Sequence, residues 1–436
     1  MSDLQKKITA IFLAAAAVLP MLIGCGGGAP SQTSASSADT GDSSTAEGTD
    51  APVTAPETVD YAALLAENKY AESGLELCLN VIDDYYMSSK HILRTEPKST
   101  TPAYVWPFAS FLEMLSDALR LYPDNEKIKE CYTDALTDGI SGYRVKVSSL
   151  RTSAGSFKNI VYYNSSRGGS GDYYYDDNAW VCLQFLTAYE LLGDSSMLDR
   201  AKELLDFFMT GIDDTLDGGI YWDKSFGSKN TCANGPVAIC FLKAYKFTGE
   251  QSYLDTGKSL VDWLNKKMLD GSLYCDSIST SGSVNSWKAA YNQGTPIYAS
   301  CLVYELTGES SYLTRAKRTA TAARSLCFSV SGKGENQKVR MNGNPIYKSW
   351  CIGWLMRGYY EFCEVTGGSN SAFDYMESVL DYNESTKNSR GYYDPYFRTG
   401  DWAGESTTEV LQPCGVASVM LICARYDVYL KPAVSE

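Results

Sequence analysis

One unit recurs along this chain: an apolar helix, a glycine, then an amphipathic helix. The segments AWVCLQFLTAYELLGD (179–194), GPVAICFLKAYKFTGE (235–250), TPIYASCLVYELTGE (295–309) and CIGWLMRGYYEFCEVTGG (351–368) carry it. Gly193, Gly249, Gly308 and Gly367 stand 56, 59 and 59 residues apart. A fixed period of this size marks a repeat architecture, whose units bury their apolar faces against one another. Glycine suits the position just past a helix, where a positive φ costs it least.

The two helices of each unit differ in kind. Eleven of the 14 residues in 179–192 are apolar, and a helix apolar on all sides is buried. In SSMLDRAKELLDFF, Met197, Leu198, Ala201, Leu204, Leu205 and Phe208 form one face, and Asp199, Arg200, Lys202, Glu203 and Asp206 the other. That is a surface helix at period 3.6. QSYLDTGKSLVDWL and SSYLTRAKRTATAA read the same way. Further helices are expected near 72–90, 105–122, 125–143 and 411–430, about twelve in all. Six hairpins of alternating inner and outer helices predict an all-α fold, an (α/α)6 barrel. An open superhelical array obeys the same pairing rule.

The first 58 residues read differently. Lys6 and Lys7 precede a 12-residue apolar run, Ile8 to Leu19, too short for a permanent membrane span. The run leads to Leu22-Ile23-Gly24-Cys25, which resembles a bacterial lipobox. Residues 1–24 are therefore expected to be an export signal. Cys25 is expected to carry a lipid that anchors the protein to a bacterial membrane, on the cell surface or facing the periplasm. An ordinary signal peptide cut nearby is the alternative. Residues 25–58 are Gly, Ser, Thr, Ala, Asp and Pro with few large apolar side chains. Such a stretch cannot bury enough surface to offset its ordering entropy, so it reads as a flexible tether. The folded part, one domain over 59–436, is expected to be monomeric.

Composition narrows the function. Lys and Arg number 38 against 52 Asp and Glu, a net charge of −14. That argues against a nucleic-acid partner, which needs cations to displace counterions. His91 is the single histidine, so no His-based metal site is expected, and no cofactor is expected. Nothing around His91 forms a motif, and it reads as a solvated helix-end residue. Tyr, at 32, outnumbers the 14 Phe and 8 Trp together. Aromatic faces for sugar rings and carboxylates for hydroxyls suit a neutral carbohydrate. Of the 13 cysteines, those beyond Cys25 fall largely in apolar helical stretches, as do Cys182, Cys240, Cys301, Cys351 and Cys423. There cysteine behaves as a small hydrophobe, so mostly free thiols are expected.

Loop lengths locate the site. Inner-to-outer turns are short, whereas 213–231, 270–287 and 388–406 are long and carry Trp, Tyr, Asp and Asn. Long loops of this kind are usually functional. All would lie at the N-terminal end of the inner helices, the positive end of their dipoles, where carboxylates are favoured. Tyr173-Tyr174-Tyr175-Asp176-Asp177-Asn178 opens the first strongly apolar inner helix there. Two adjacent carboxylates could cap that helix. They could equally serve as a glycosidase acid pair, since like charges so close raise one pKa and keep one group protonated. Tyr175, Trp222, Asp223, Asn230, Asn234, Tyr291, Asn292 and Gln293 are candidates for holding sugar hydroxyls and rings. Helix capping or loop anchoring is the competing reading for several of them. Trp180 fits a core position better than a sugar platform.

The segment YYYDDNAWVCLQFLTAYELLGD resembles the Asp-Asp signature of glycoside hydrolase family 76, the α-1,6-mannanases. The likeness continues through GGIYWD (218–223), SKNTCANGP (228–236), YLDTGKSLVDWL (253–264) and AAYNQGTPI (289–297), covering residues 70 to 430 in outline. The resemblance implies an (α/α)6 barrel, endo-cleavage of α-1,6-linked mannose chains with retention of configuration, and no metal. It assigns Asp176 as nucleophile and Asp177 as general acid/base. Transfer of glycan chains within the same family, a non-catalytic glycan-binding lipoprotein, and an unsaturated glucuronyl hydrolase are the other readings. The intact acid pair disfavours the second of these. The amides of SKNTCANGP and YNQGT, suited to neutral sugars, disfavour the third.

Overall fold

The computed structural model describes residues 59–169, 171–332, 337–342, 348–397 and 409–431. The expected export signal, Cys25 and the tether lie outside the described residues, as do residues 398–408 of the last long loop. Residues from Thr58 onward form one compact unit.

Six helices form an inner ring: α3 (Val105–Leu121), α5 (Tyr175–Leu192), α7 (Thr231–Thr248), α9 (Tyr291–Thr307), α11 (Ser349–Thr366) and α13 (Leu411–Tyr429). Each packs against the next, and α13 packs back on α3, so the ring closes. The open array is thereby ruled out. The outer layer is α2 (Lys69–Tyr85), α4 (Glu126–Asp134), α6 (Ser195–Met209), α8 (Gln251–Lys267), α10 (Ser310–Cys327) and α12 (Ser371–Glu384). A short helix, α1 (Tyr61–Glu67), was not foreseen and rests on α13. Five hairpins are consecutive in sequence. The sixth joins the two ends of the folded chain, α2 lying on α13, with the rings of Tyr61 and Tyr429 5.5 Å apart. The fold is the (α/α)6 barrel.

The repeat explains these elements. Gly193, Gly249, Gly308 and Gly367 end α5, α7, α9 and α11 in the left-handed conformation, at φ 70°, 70°, 74° and 61°. The outer helix α6 buries Met197, Ala201, Leu204, Leu205, Phe207 and Phe208 and leaves its charged face to solvent. Inner helices meet over small residues. A Cβ on Gly294 of α9 would stand 2.2 Å from the Trp354 carbonyl oxygen, and one on Gly358 of α11 would stand 2.4 Å from the Gly294 carbonyl oxygen. Backbones touch there, which no larger residue permits.

The long connections carry strand. Arg144–Thr152 pairs antiparallel with Gly155–Tyr163 between α4 and α5. The alternation in RVKVSSLRT signals a half-buried strand, but the helical repeat drew attention away from it. Over the mouth, Ser228–Asn230 pairs with Ser277–Ser279, which pairs in turn with Val284–Asn285. The two long loops are thus stitched into one small sheet. Among the described residues all twelve cysteines are free, and all but Cys131 are buried.

Candidate active site

The acid pair sits in the first turn of α5, where the helix dipole favours negative charge. The residue preceding that turn, Tyr174, makes no side-chain cap, and neither carboxylate takes the capping position. Capping therefore does not account for the pair. The backbone N–H of Asp177 donates to Asp176 Oδ1 at 3.0 Å. Trp222 Nε1 donates to Asp176 Oδ2 at 3.0 Å, and the Cys232 thiol donates to the same oxygen at 3.3 Å. Trp222 is aimed by its backbone. Its carbonyl accepts from Tyr175 N at 2.8 Å, and its N–H donates to Ser228 O at 3.0 Å. Its ring also lies 5.2 Å from that of Tyr174.

The two carboxyls are set apart by surroundings. Both reach the mouth of the barrel, but protein crowds them on most sides, so burial raises both pKa values. For Asp176 hydrogen bonds from Cys232, Trp222 and backbone N–H groups oppose burial, and it is pushed up only to about 6. Asp177 is pushed well above the usual carboxylate range by burial and by the neighbouring Asp176 charge. Asp177, with no opposing donor and a charged neighbour, is therefore held protonated more strongly than Asp176, which ionises first. One carboxylate and one carboxylic acid then stand side by side.

Aromatic rings make the floor. Trp350 meets Trp106 at 5.0 Å, Trp180 at 5.2 Å and Tyr291 at 5.7 Å, and Trp180 meets Trp354 at 4.6 Å. Trp106 and Tyr291 are partly exposed, while Trp180, Trp350 and Trp354 are buried. Beneath them Glu113, at 1% exposure, accepts from Trp350 Nε1 at 3.0 Å and from Trp354 Nε1 at 3.2 Å. Burial pushes its carboxyl up to about 7 against the pull of Arg357. The indoles are thereby fixed from below.

Several expected substrate contacts prove to be struts. Tyr175 is turned into the core, stacked 4.8 Å from Phe207 with its hydroxyl 3.0 Å from Thr210 Oγ1. Fully buried, it cannot reach a sugar. Asn234 receives the Ile220 N–H at 2.8 Å and donates to the Ile220 carbonyl at 2.9 Å. Gln293 does the same for Tyr274 at 2.8 and 3.0 Å, and Asn178 for Tyr163 at 2.7 and 3.0 Å. Each of these amides also donates to the carbonyl four residues back, of Asn230, Ala289 or Tyr174. Buried amides near the helix starts thus clamp the preceding loop. Asn230 accepts from Ser228 Oγ at 2.8 Å. The Asp223 carboxylate accepts from Ser225 N at 2.9 Å and steadies its own loop. Of the expected set, Trp222 and Tyr291 face the mouth.

One carboxylate was overlooked. Asp276, in the loop before α9, accepts from Asn292 Nδ2 at 3.0 Å and Asn285 Nδ2 at 3.2 Å. Asn292 is therefore its holder, and among the described residues the buried Asn292 Oδ1 has no partner. Asp276 acts electrostatically on Cys232 and Tyr291, which places it beside the acid pair. Its only sequence signal was a long loop. His91 is not simply solvated: its Nδ1 lies 2.7 Å from Asp134 Oδ1. His91, Asp134 and Asp138 are the one set among the described residues whose donor atoms cluster within 4.8 Å. Asp134 is already engaged by Tyr86 and His91.

An acid beside a carboxylate, over an indole floor, can protonate and displace at an acetal carbon, the work of glycoside hydrolases. The family model described as glycosyl hydrolase family 76 matches residues 72–389, and the chain belongs to that family. Its fold is shared by a family 76 mannosidase of Bacteroides thetaiotaomicron, at TM-score 0.70 and 22% identity over 83% of this chain and 99% of that one. It is shared too by an inactive variant of the α-1,6-mannanase GH76A of Salegentibacter sp. HEL1_6 in complex with α-1,6-mannotetrose. There the TM-score is 0.65 at 21% identity, over 82% of this chain and 99% of that one. The changes in that variant replace two consecutive aspartates by alanine. Among curated proteins, a mannan endo-1,6-alpha-mannosidase of Candida glabrata is 25% identical over 140 residues, 28% of this chain. That match spans 31% of the relative's length.

Proposed function

We propose that this protein is a retaining, endo-acting hydrolase of α-1,6-linked mannan. The observation that carries the reading is the unequal acid pair: Asp176 held by three donors, Asp177 by none among the described residues. Asp176, ionised, attacks the anomeric carbon while Asp177 gives its proton to the departing oxygen. A glycosyl ester on Asp176 results. Asp177, now a carboxylate, takes a proton from water, which attacks the same carbon and restores both groups. Trp222 and Tyr291 offer faces and edges for the sugar rings at the mouth. The endo-α-mannosidase name of the curated relative and the mannotetrose complex of the structural neighbour support the substrate class.

Incubation with unbranched α-1,6-mannan tests the reading. A ladder of oligosaccharides whose first-formed reducing ends are α supports it. Mannose alone shows exo action, β ends show inversion, longer chains show transfer, and binding without products shows a lectin. Asp176→Ala and Asp177→Ala should each lose at least 10²–10⁴-fold in kcat, the usual worth of a positioned acid or base. An activated aryl mannoside should restore the first step in Asp177→Ala alone. Residues 1–24 are further proposed as an export signal and Cys25 as a lipid anchor. Labelling with a lipid analogue that persists in Cys25→Ala would refute the anchor.

A further inference from the structure

Nothing in acid-pair chemistry requires a thiol, yet Cys232 donates to Asp176 Oδ2 at 3.3 Å, on the same oxygen that Trp222 Nε1 reaches at 3.0 Å. Cys232 is the second residue of α7 and is 7% exposed. A buried cysteine usually acts as a small hydrophobe. This one has a carboxylate oxygen for a neighbour, and it reaches that oxygen from a different wall of the barrel. The thiol is a weak donor, but a charged acceptor strengthens the bond.

We propose that Cys232 is a positioning residue: with Trp222 it pins Asp176 Oδ2, holding the Asp176 carboxylate ionised and turned toward the sugar. The proposal rests on Asp176 being the nucleophile. Burial, with the charges of Asp176 and Asp276, holds the thiol far above its ordinary pKa, so it remains S–H, the donating form. The titratable groups facing Asp176 are Asp177 and Tyr174 at the start of α5, Cys232 on α7, and Tyr291 on α9. Asp223 and Asp276, from the loops before α7 and α9, act on Tyr174 and Cys232. A thiol also suits the step that follows. As Asp176 bonds to the anomeric carbon its charge disappears, and a weak donor resists that change less than a strong one.

The test is the pH profile of kcat/KM on unbranched α-1,6-mannan, for the full folded protein and for Cys232→Ala and Cys232→Ser. The rising, acidic limb reports ionisation of Asp176. Cys232→Ala removes a donor, so the limb should move up by about half to one pH unit, with about 3–10-fold lower kcat/KM below the limb. Cys232→Ser offers a stronger donor, so the limb should move down while kcat falls. Opposite shifts are not produced by loss of packing. A melting temperature for each variant separates folding from chemistry. Should Cys232→Ala fail to fold, the near-isosteric serine variant decides alone. If Asp176→Ala is inactive but the limb stays put in the folded Cys232 variants, the positioning role is overturned and the acid pair stands. If Asp176→Ala keeps wild-type turnover, the site reading falls and this proposal with it.

Discussion

Two glycines of one helix make opposite predictions when each is replaced by alanine. Gly353 and Gly358 both lie inside α11. Alanine is favoured over glycine in a helix interior by about 1 kcal/mol, so each change starts with the same gain. A Cβ at 353 meets only the Arg357 Nη1 at 3.3 Å, the far end of a long side chain, and then Val419 and Ser418 atoms at 3.9 and 4.0 Å. A Cβ at 358 meets the Gly294 carbonyl oxygen at 2.4 Å and the Gly294 Cα at 3.0 Å. Both partners there are backbone, so no rotamer relieves the contact and α9 must be driven from α11. Overpacking typically costs about 1–3 kcal/mol, and this contact belongs at the upper end. Net, Gly358→Ala should lose about 2 kcal/mol and Gly353→Ala gain up to about 1 kcal/mol. A domain of about 370 residues unfolds with an entropy of roughly 0.8 kcal/mol/K, so the melting temperature should fall by about 2–3 °C in the first and rise by about 1 °C in the second. Urea midpoints at constant slope give the same comparison with better resolution. Equal shifts of the same sign would refute the claim that the inner ring is packed backbone to backbone at this seam.

Asp177→Asn should stabilise the protein at neutral pH. The folded pKa of Asp177 is raised, so ionising it costs the folded state as pH climbs from the unfolded value of about 3.9. The variant's advantage in melting temperature should therefore grow through that window and vanish below about pH 4; an advantage independent of pH would contradict it. Asn234→Ala leaves the Ile220 N–H and carbonyl without partners in a fully buried position. A cost of about 2–4 kcal/mol in urea unfolding is expected, and a loss under about 0.5 kcal/mol would show that the clamp is dispensable. Alkylation of unfolded, unreduced protein, followed by mass measurement, should label all twelve cysteines described as free. Three or more disulfides would overturn that expectation.

The barrel was legible because its signal is spread over four repeats. Gly193, Gly249, Gly308 and Gly367 mark the helix ends at a constant spacing, and each takes the left-handed conformation that its position demands. Asp176 and Asp177 stood out through their likeness to the family signature; as two carboxylates at a helix start beneath long loops they read just as well as capping groups. The amides misled for a physical reason. Asn234 and Gln293 open inner helices just as a sugar-binding amide would, and only the fold shows their side chains turned back onto the preceding loop. Asp276 and Cys232 were missed for the converse reason. Each gains meaning from a partner on another element, Asn292 for one and Asp176 for the other. The strand pair at 144–163 was hidden by the strength of the surrounding helical period.

The way the ring closes sets a condition on how the chain can be made. Five of the hairpins have both of their helices as soon as the second has been made. The sixth does not: α2, with Leu77, Val81 and Tyr85 on its apolar face, is the first barrel helix to be made, and its cover α13 is the last. Loop closure over such a length costs little more entropy than over a short one, since the cost grows only with the logarithm of the loop. The burden is temporal. Throughout synthesis the nascent polypeptide carries an uncovered apolar helix, and the flank of α3 that α13 will occupy is equally bare. Exposed surface of that kind drives aggregation before folding is complete. A chain cut short before Leu411 would therefore not be a slightly smaller enzyme. It would be a five-hairpin arc with both edges open, fit for a chaperone or a protease.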